Sequence, residues 1–182
     1  MIAIKEEAEL YKTKNIFFKQ VVFKLGGGTL SIGQNNVFHT KVYVLSEGGD
    51  IRIGNLNVFE EKVIIYNKSK TAPLEIGDCN YMNAGTRIYS TRIGSLNDFG
   101  INSYVENSRL GNGNIVGVEA KVKPSTELID RKAISTMGTI HDNVIFNEER
   151  KKNEMLVIIK NTNACFKKAN SIKKQQQAAR NK

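Results

Sequence analysis

The chain has 182 residues, 40% of them hydrophobic, and a formal net charge of +9. That length fits one domain plus a tail, and its two cysteines, Cys79 and Cys165, lie too far apart to form a metal-binding pair and suit free thiols in a reducing compartment. Lys5-Glu6-Glu7 stands where a signal peptide would carry its apolar core, and the longest aliphatic run, Met155–Ile159, is far too short to span a bilayer.

Along the chain, Ile4, Leu10 and Ile16 fall six residues apart, the first trace of a rhythm that then becomes regular. Five phrases carry it: Ile32-Gly33-x-x-Asn36, Ile53-Gly54-x-x-Asn57, Ile76-Gly77-x-x-Asn80, Ile93-Gly94-x-x-Asn97 and Leu110-Gly111-x-x-Asn114. Six and twelve residues after each opening residue the positions are Phe38 and Val44, Phe59 and Ile65, Met82 and Ile88, Phe99 and Val105, and Val116 and Val122. All are apolar, the hexapeptide signature of a parallel β-helix. Leu128, Ile134 and Ile140 continue it. The pattern predicts an all-β, left-handed parallel β-helix over residues 1–147. It has about seven triangular coils of three short strands and stands roughly 30 Å tall at the usual strand spacing.

Two kinds of corner follow from the same register. Asn36, Asn57, Asn80, Asn97 and Asn114 recur two residues before an apolar beat, and Asn tolerates the left-handed backbone region at low cost. Stacked about 4.8 Å apart they would form an amide ladder. Gly33, Gly54, Gly77, Gly94 and Gly111 are read as corner glycines. At the next corner Val42, Val63, Thr86, Ser103 and Ala120 are small or β-branched, as an inward-pointing corner residue requires. Lys14 and Lys132 break the pattern at the two ends, where terminal repeats are expected to be atypical. The spacings that vary all fall at the third corner. Loops around Phe17–Ser31, Leu45–Arg52 and Tyr66–Glu75 should therefore stack along one edge, where binding commonly resides.

The basicity belongs to the tail. From Glu148 onward there are ten Lys/Arg and three Glu, so residues 1–147 carry only +2. Met155, Ile158, Thr162, Cys165, Ala169 and Ile172 recur at helical intervals, widened by Leu156, Ile159 and Phe166. This predicts an amphipathic α-helix over residues 148–174, with Met155, Ile158, Ile159 and Phe166 as its partner-binding face, and a disordered basic tail over residues 175–182. Aromatic platforms and nucleic-acid motifs are missing, so the tail points to neither nucleic acid nor membrane insertion.

The candidate chemistry is sparse. A zinc site needs three protein ligands and an open fourth position. The chain has two histidines, His39 and His141, which the repeat places about five coils, roughly 24 Å, apart. His39 could serve as a general base, but no orienting partner is evident from sequence. Glu60 and Glu61 lie beside it in the stack and point to opposite sides of their strand. Metal ligands and cofactor-binding residues are therefore not assigned.

The run Ile51-Arg-Ile-Gly-Asn-Leu-Asn-Val-Phe-Glu-Glu-Lys-Val-Ile-Ile-Tyr-Asn67, with Pro73-Leu-Glu-Ile-Gly-Asp-Cys-Asn80, resembles the dynactin subunit 6 family of hexapeptide-repeat proteins. The resemblance covers residues 29–145 and implies a non-catalytic subunit of the dynactin pointed-end complex, in the cytoplasm on the cytoskeleton. It would stack against dynactin subunit 5 and support dynein-based microtubule transport and cargo-adaptor attachment. Two other readings stay open: a hexapeptide acyltransferase using His39, and a carbonic-anhydrase-like scaffold.

Overall fold

The computed structural model describes residues 14–89 and 91–140. Everything assigned to residues 148–182, including the partner-binding face at Met155, Ile158, Ile159 and Phe166, lies outside them, as does His141.

Each coil contributes one strand to each of three faces. The first coil comprises β1 (Ile16–Phe17), β2 (Val22–Leu25) and β3 (Leu30–Ile32), and the second β4 (Val37–Phe38), β5 (Tyr43–Ser46) and β6 (Ile51–Ile53). Then come β7 (Val58–Phe59), β8 (Ile64–Asn67) and β9 (Leu74–Ile76), followed by β10 (Tyr81–Met82), β11 (Arg87–Tyr89) and β12 (Arg92–Ile93). The fifth coil is β13 (Asp98–Phe99), β14 (Tyr104–Glu106) and β15 (Arg109–Leu110), and the sixth β16 (Ile115–Val116), β17 (Lys121–Val122) and β18 (Glu127–Leu128). β19 (Ala133–Ile134) and β20 (Thr139–Ile140) begin a seventh. Pairing is parallel throughout, between equivalent strands of successive coils, giving sheets of seven, seven and six strands. The expected parallel β-helix is therefore present, with six full coils and part of another among the described residues.

The core is the stack of beats. Phe38, Phe59, Met82 and Phe99 line up inside the first face, and Val44, Ile65, Ile88 and Val105 inside the second, all fully buried. Phe38 and Phe59 stack with ring centroids 4.6 Å apart. Val42, Val63, Thr86, Ser103 and Ala120 are also fully buried, which accounts for their small or branched side chains.

Three details differ from the sequence reading. In the first coil the register is one residue later: Phe17, not Ile16, pairs with Phe38. Asn15, buried and bonded to Asn36, is the first rung of the amide ladder. The stretch read as a loop over Phe17–Ser31 consequently holds β2 and the start of β3. Second, the ladder asparagines do not take the left-handed backbone. That falls on the residue before each: Asn35 (φ 59°), Leu56 (57°), Cys79 (56°), Leu96 (60°) and Gly113 (61°). The asparagines themselves are turned inward. Third, none of the five repeat glycines after Ile32, Ile53, Ile76, Ile93 and Leu110 has a positive φ. Space is what excludes a side chain: a Cβ on Gly77 would sit 2.7 Å from the Gly94 carbonyl oxygen. The position equivalent to these glycines in the last full coil is Ile129, 56% exposed, where no further third-face strand among the described residues lies against it.

The variable corner lies where expected, between the second and third faces. Its loops are shorter than the sequence reading gave, at residues 26–29, 47–50 and 68–73. They stack through backbone bonds such as Glu47 N–H to Asn67 O (2.9 Å) and Gly49 N–H to Ser69 O (2.8 Å). Asn67, fully buried, donates Nδ2 to the carbonyls of Asp50 and Ala72, both at 2.9 Å, and so ties two loops together.

Candidate functional site

Where the first face ends and the second begins, the residues just after β1, β4 and β7 are Phe18, His39 and Glu60. Parallel pairing in register stacks these three positions, since Phe17, Phe38 and Phe59 are successive partners on the strands before them. The imidazole of His39 lies flat on the Phe18 ring, 4.6 Å between centroids and 12° between planes. On its other side, Nε2 is 3.7 Å from Glu60 Oε2. That is ion-pair range and longer than a hydrogen bond, a looseness common in catalytic pairs without substrate. Glu60 is itself held, because the Tyr81 hydroxyl donates to its Oε1 at 2.8 Å. His39 and Glu60 side chains are 26% and 21% exposed, so the pair is accessible at the column surface and partly shielded.

The orienting partner absent from the sequence reading is thus Glu60. Its distance along the chain from His39 equals that between Gly33 and Gly54, so the repeat already placed it one coil on. Glu61 lies on the adjacent corner, and its backbone carbonyl accepts from Gly85 N–H. Phe18 escaped notice because the first coil was read one residue out of register. Tyr81 carried no sequence signal at all.

The amide ladder runs through the interior and offers no site. Asn57 Nδ2 donates to Asn36 Oδ1 (3.0 Å), and Asn57 Oδ1 accepts from both the backbone N–H and Nδ2 of Asn80 (2.8 and 3.0 Å). Asn97 continues it, and at Asn114 the column ends. The Lys132 backbone N–H donates to Asn114 Oδ1 at 2.7 Å, and Asn114 Nδ2 has no partner.

The second face presents a tyrosine cluster. Tyr66 and Tyr89 meet in a T-shaped contact and Tyr104 lies tilted against Tyr89, with ring centroids 5.9 and 5.3 Å apart. Lys68 Nζ sits 4.5 Å from the Tyr89 ring centre and bonds Glu106 Oε1 at 2.8 Å. Burial, then the hydrogen bond to Glu106, pushes the Tyr104 phenol up to about 12. The Lys68 and Tyr104 bonds hold the Glu106 carboxyl below its ordinary value. The third face is a charged ribbon. Arg52, Glu75, Arg92, Arg109 and Glu127 follow one another in register beside an open groove of about 950 Å³ over the glycine column. Among the described residues no three His, Cys, Asp or Glu side chains converge as metal ligands would.

No family model and no curated protein matches the sequence. Solved structures do match the fold. A putative acetyltransferase of Bacillus cereus superposes with a TM-score of 0.57 at 11% identity, over 88% of this chain and 94% of that one. The acetyltransferase domain of PglB from Neisseria gonorrhoeae gives 0.48 at 14% identity, over 79% of this chain and 63% of that one. A hexapeptide transferase family protein from Anaplasma phagocytophilum gives 0.41 at 11% identity.

The fold is the hexapeptide-repeat parallel β-helix.

These findings correct the earlier reading. The Bacillus cereus protein that shares the architecture is described as a putative acetyltransferase, and none of these comparisons points to dynactin. The expected non-catalytic pointed-end subunit, with its place in dynein transport, is set aside. The resemblance misled because Ile-Gly-x-x-Asn phrases report coil geometry, which scaffolds and enzymes of this architecture share.

Proposed function

We propose that the chain is an acyltransferase of the hexapeptide β-helix type, with His39 as its general base and a coenzyme A thioester as acyl donor. The observation that carries this reading is the His39 arrangement itself: an imidazole stacked on Phe18 and faced at Nε2 by a carboxylate that Tyr81 fixes. With Nε2 turned to Glu60, Nδ1 is the ring nitrogen that would take the acceptor's proton. The shared architecture of the Bacillus cereus protein gives the reading its context.

In this reaction an acceptor hydroxyl or amine gives its proton to His39 as its oxygen or nitrogen attacks the thioester carbonyl. The carbon–sulfur bond then breaks, the acyl group stays on the acceptor, and the proton passes to the departing thiolate. Glu60 balances the charge of the transient imidazolium, and Phe18 fixes the ring plane. Positioned general bases contribute roughly 10²–10⁴-fold to rate.

The test combines acetyl-CoA binding by calorimetry with mass-spectrometric detection of acetyl transfer to a panel of amino and hydroxyl acceptors. Binding is expected, and His39→Ala should lower turnover by about 10²-fold or more with binding retained. A wild-type chain that shows no interaction with acetyl-CoA would remove the proposal.

A further inference from the structure

A second site lies on a different edge, where the second face turns into the third. There the coils differ in the length of their corner. Residues 68–73 project from the third coil and residues 123–126 from the sixth, whereas the fifth turns in two residues, Asn107 and Ser108. The result is a saddle of about 670 Å³ between two raised loops, walled by Ala72–Pro73 on one side and Ser125–Thr126 on the other. That volume falls within the usual span for small-molecule sites, roughly 300–1,000 Å³. The floor is polar. Thr91 donates its hydroxyl to the Ser108 carbonyl oxygen, and its Oγ1 is 3.2 Å from Ser108 Oγ.

Two arginines enter this saddle side by side. Arg92 and Arg109 are in-register partners on β12 and β15, so their Cα atoms are one strand spacing apart, roughly 4.8 Å. Like charges directly opposite one another are destabilising. Elsewhere along this ribbon neighbours are oppositely charged or neutral. Glu75 serves two arginines at once, bonding Arg52 at 3.1 Å and Arg92 Nε at 2.9 Å. Arg109 forms no ion pair among the described residues, although Glu127 is its in-register neighbour on β18. The saddle is lined by two arginines and two carboxylates, but among the described residues only Arg92 and Glu75 are paired across it, so the Arg109 guanidinium keeps its donors available beside a set of hydroxyls.

We infer that this saddle binds the phosphate ester of a polar, hydroxyl-bearing small molecule. The phosphate is bridged by Arg92 and Arg109, and the ligand's hydroxyls meet Glu127 and the Thr126 side. Guanidinium groups present fixed forks of N–H donors that match phosphate oxygens two at a time. A phosphate between the arginines also turns their mutual repulsion into shared attraction. Glu127 can accept hydrogen bonds from the ligand's hydroxyls, contacts that inorganic phosphate held between the arginines does not make, which favours an ester. The site lies on another corner of the triangle from His39 and does not depend on the acyl-transfer reading.

The test is calorimetric titration of the full-length chain with glucose 1-phosphate, glucose and inorganic phosphate at low salt. Glucose 1-phosphate is expected to bind, glucose not detectably, and inorganic phosphate at least fivefold more weakly than the ester. Arg109→Ala and Arg92→Ala should each weaken the ester at least tenfold, with melting curves confirming that both exposed-face variants remain folded. Arg87→Ala, which removes a cation from the second face, should leave binding unchanged. No binding of the ester at millimolar concentration overturns the inference. So does equal weakening by Arg87→Ala, which would report a diffuse charge effect, or equal affinity for inorganic phosphate, which would show no recognition of the esterified group.

Discussion

A buried primary amide is costly unless its donors and acceptor are all bonded, and the asparagine column meets that demand by repetition. Asn57 is fully buried and engaged by three side-chain bonds, one given to Asn36 and two received from Asn80. Replacing it with Ala leaves the Asn80 backbone N–H buried and unpaired, at about 1–3 kcal/mol, while Asn36 Oδ1 keeps the residue 57 backbone N–H and Asn80 Nδ2 keeps the Gly94 carbonyl. Asn114 Nδ2 has no acceptor among the described residues, and its Oδ1 accepts from the Lys132 backbone N–H. Asn57→Ala should therefore cost about 2–3 kcal/mol, and Asn114→Ala less because the Lys132 N–H it leaves unpaired is only partly buried, measured as the shift in urea midpoint. Equal costs would mean that the ladder contributes as isolated residues, not as a chain. The column was legible in sequence because a single residue type recurs at fixed phase. The left-handed residues before it were not, since Asn35, Leu56, Cys79 and Leu96 share no chemistry. The turn is imposed on them by the stacking on either side, and a sequence records it only where Gly or Asn happens to stand.

Strands of two to four residues have no stability of their own, so each element here exists through its neighbours in adjoining coils. The six-residue steps gave the faces and the core. The insertions gave the variable corner, since a helix with two fixed corners has one place to put extra residues. What lay beyond that reading is what crosses coils: Lys68 reaching over Tyr89 to Glu106, or Tyr81 fixing Glu60 beside His39. Such contacts need the register of three coils at once, and the first coil was read one residue early because Ile16 and Phe17 are both apolar. The Lys68–Glu106–Tyr104 group also sets a pH response. Glu106 is held below its ordinary range, chiefly by Lys68 and then by Tyr104. Its contribution is present above the unfolded carboxyl value and fades as pH falls through the lower folded one. Tyr104 is raised to about 12, so its contribution is complete below the unfolded phenol value of about 10 and is lost as pH rises from there toward 12. Wild-type and Tyr104→Phe chains should thus diverge in melting temperature on the alkaline side, with the wild type losing more between pH 10 and about 12. Parallel curves across that window would show that the phenol is not linked to folding.

A stacked column is nearly one-dimensional: each coil touches the one before and the one after, and stability is close to a sum of coil and interface terms. This matters for function, because the His39 corner runs from Phe18 in the first coil to Tyr81 in the fourth, on a different edge from the arginine saddle of the third to sixth coils. Two sites on different edges can then tolerate change independently, and loops at one corner can vary without moving the other. The last coil among the described residues departs from the repeat at the very positions that build it. Where Ile129 stands in place of Gly, and Lys132 in place of Asn, a further coil of the same kind could neither approach as closely nor extend the ladder. Protection from hydrogen exchange should accordingly be graded and not uniform. Amides of the central coils, such as Val58, Ile65 and Ile88, are expected to exchange most slowly, with protection falling toward Ile134 and Ile140. Ile134 is 4% exposed, and Ile134→Ala should cost at least about 2 kcal/mol, or roughly 30-fold in local opening at 1.4 kcal/mol per tenfold. That acceleration should appear in residues 115–140 and leave residues 44–65 within about twofold of wild type, because several interfaces separate the two regions. A uniform acceleration across the chain would instead mean that the column opens as one cooperative unit, and that a change at either site is felt at the other.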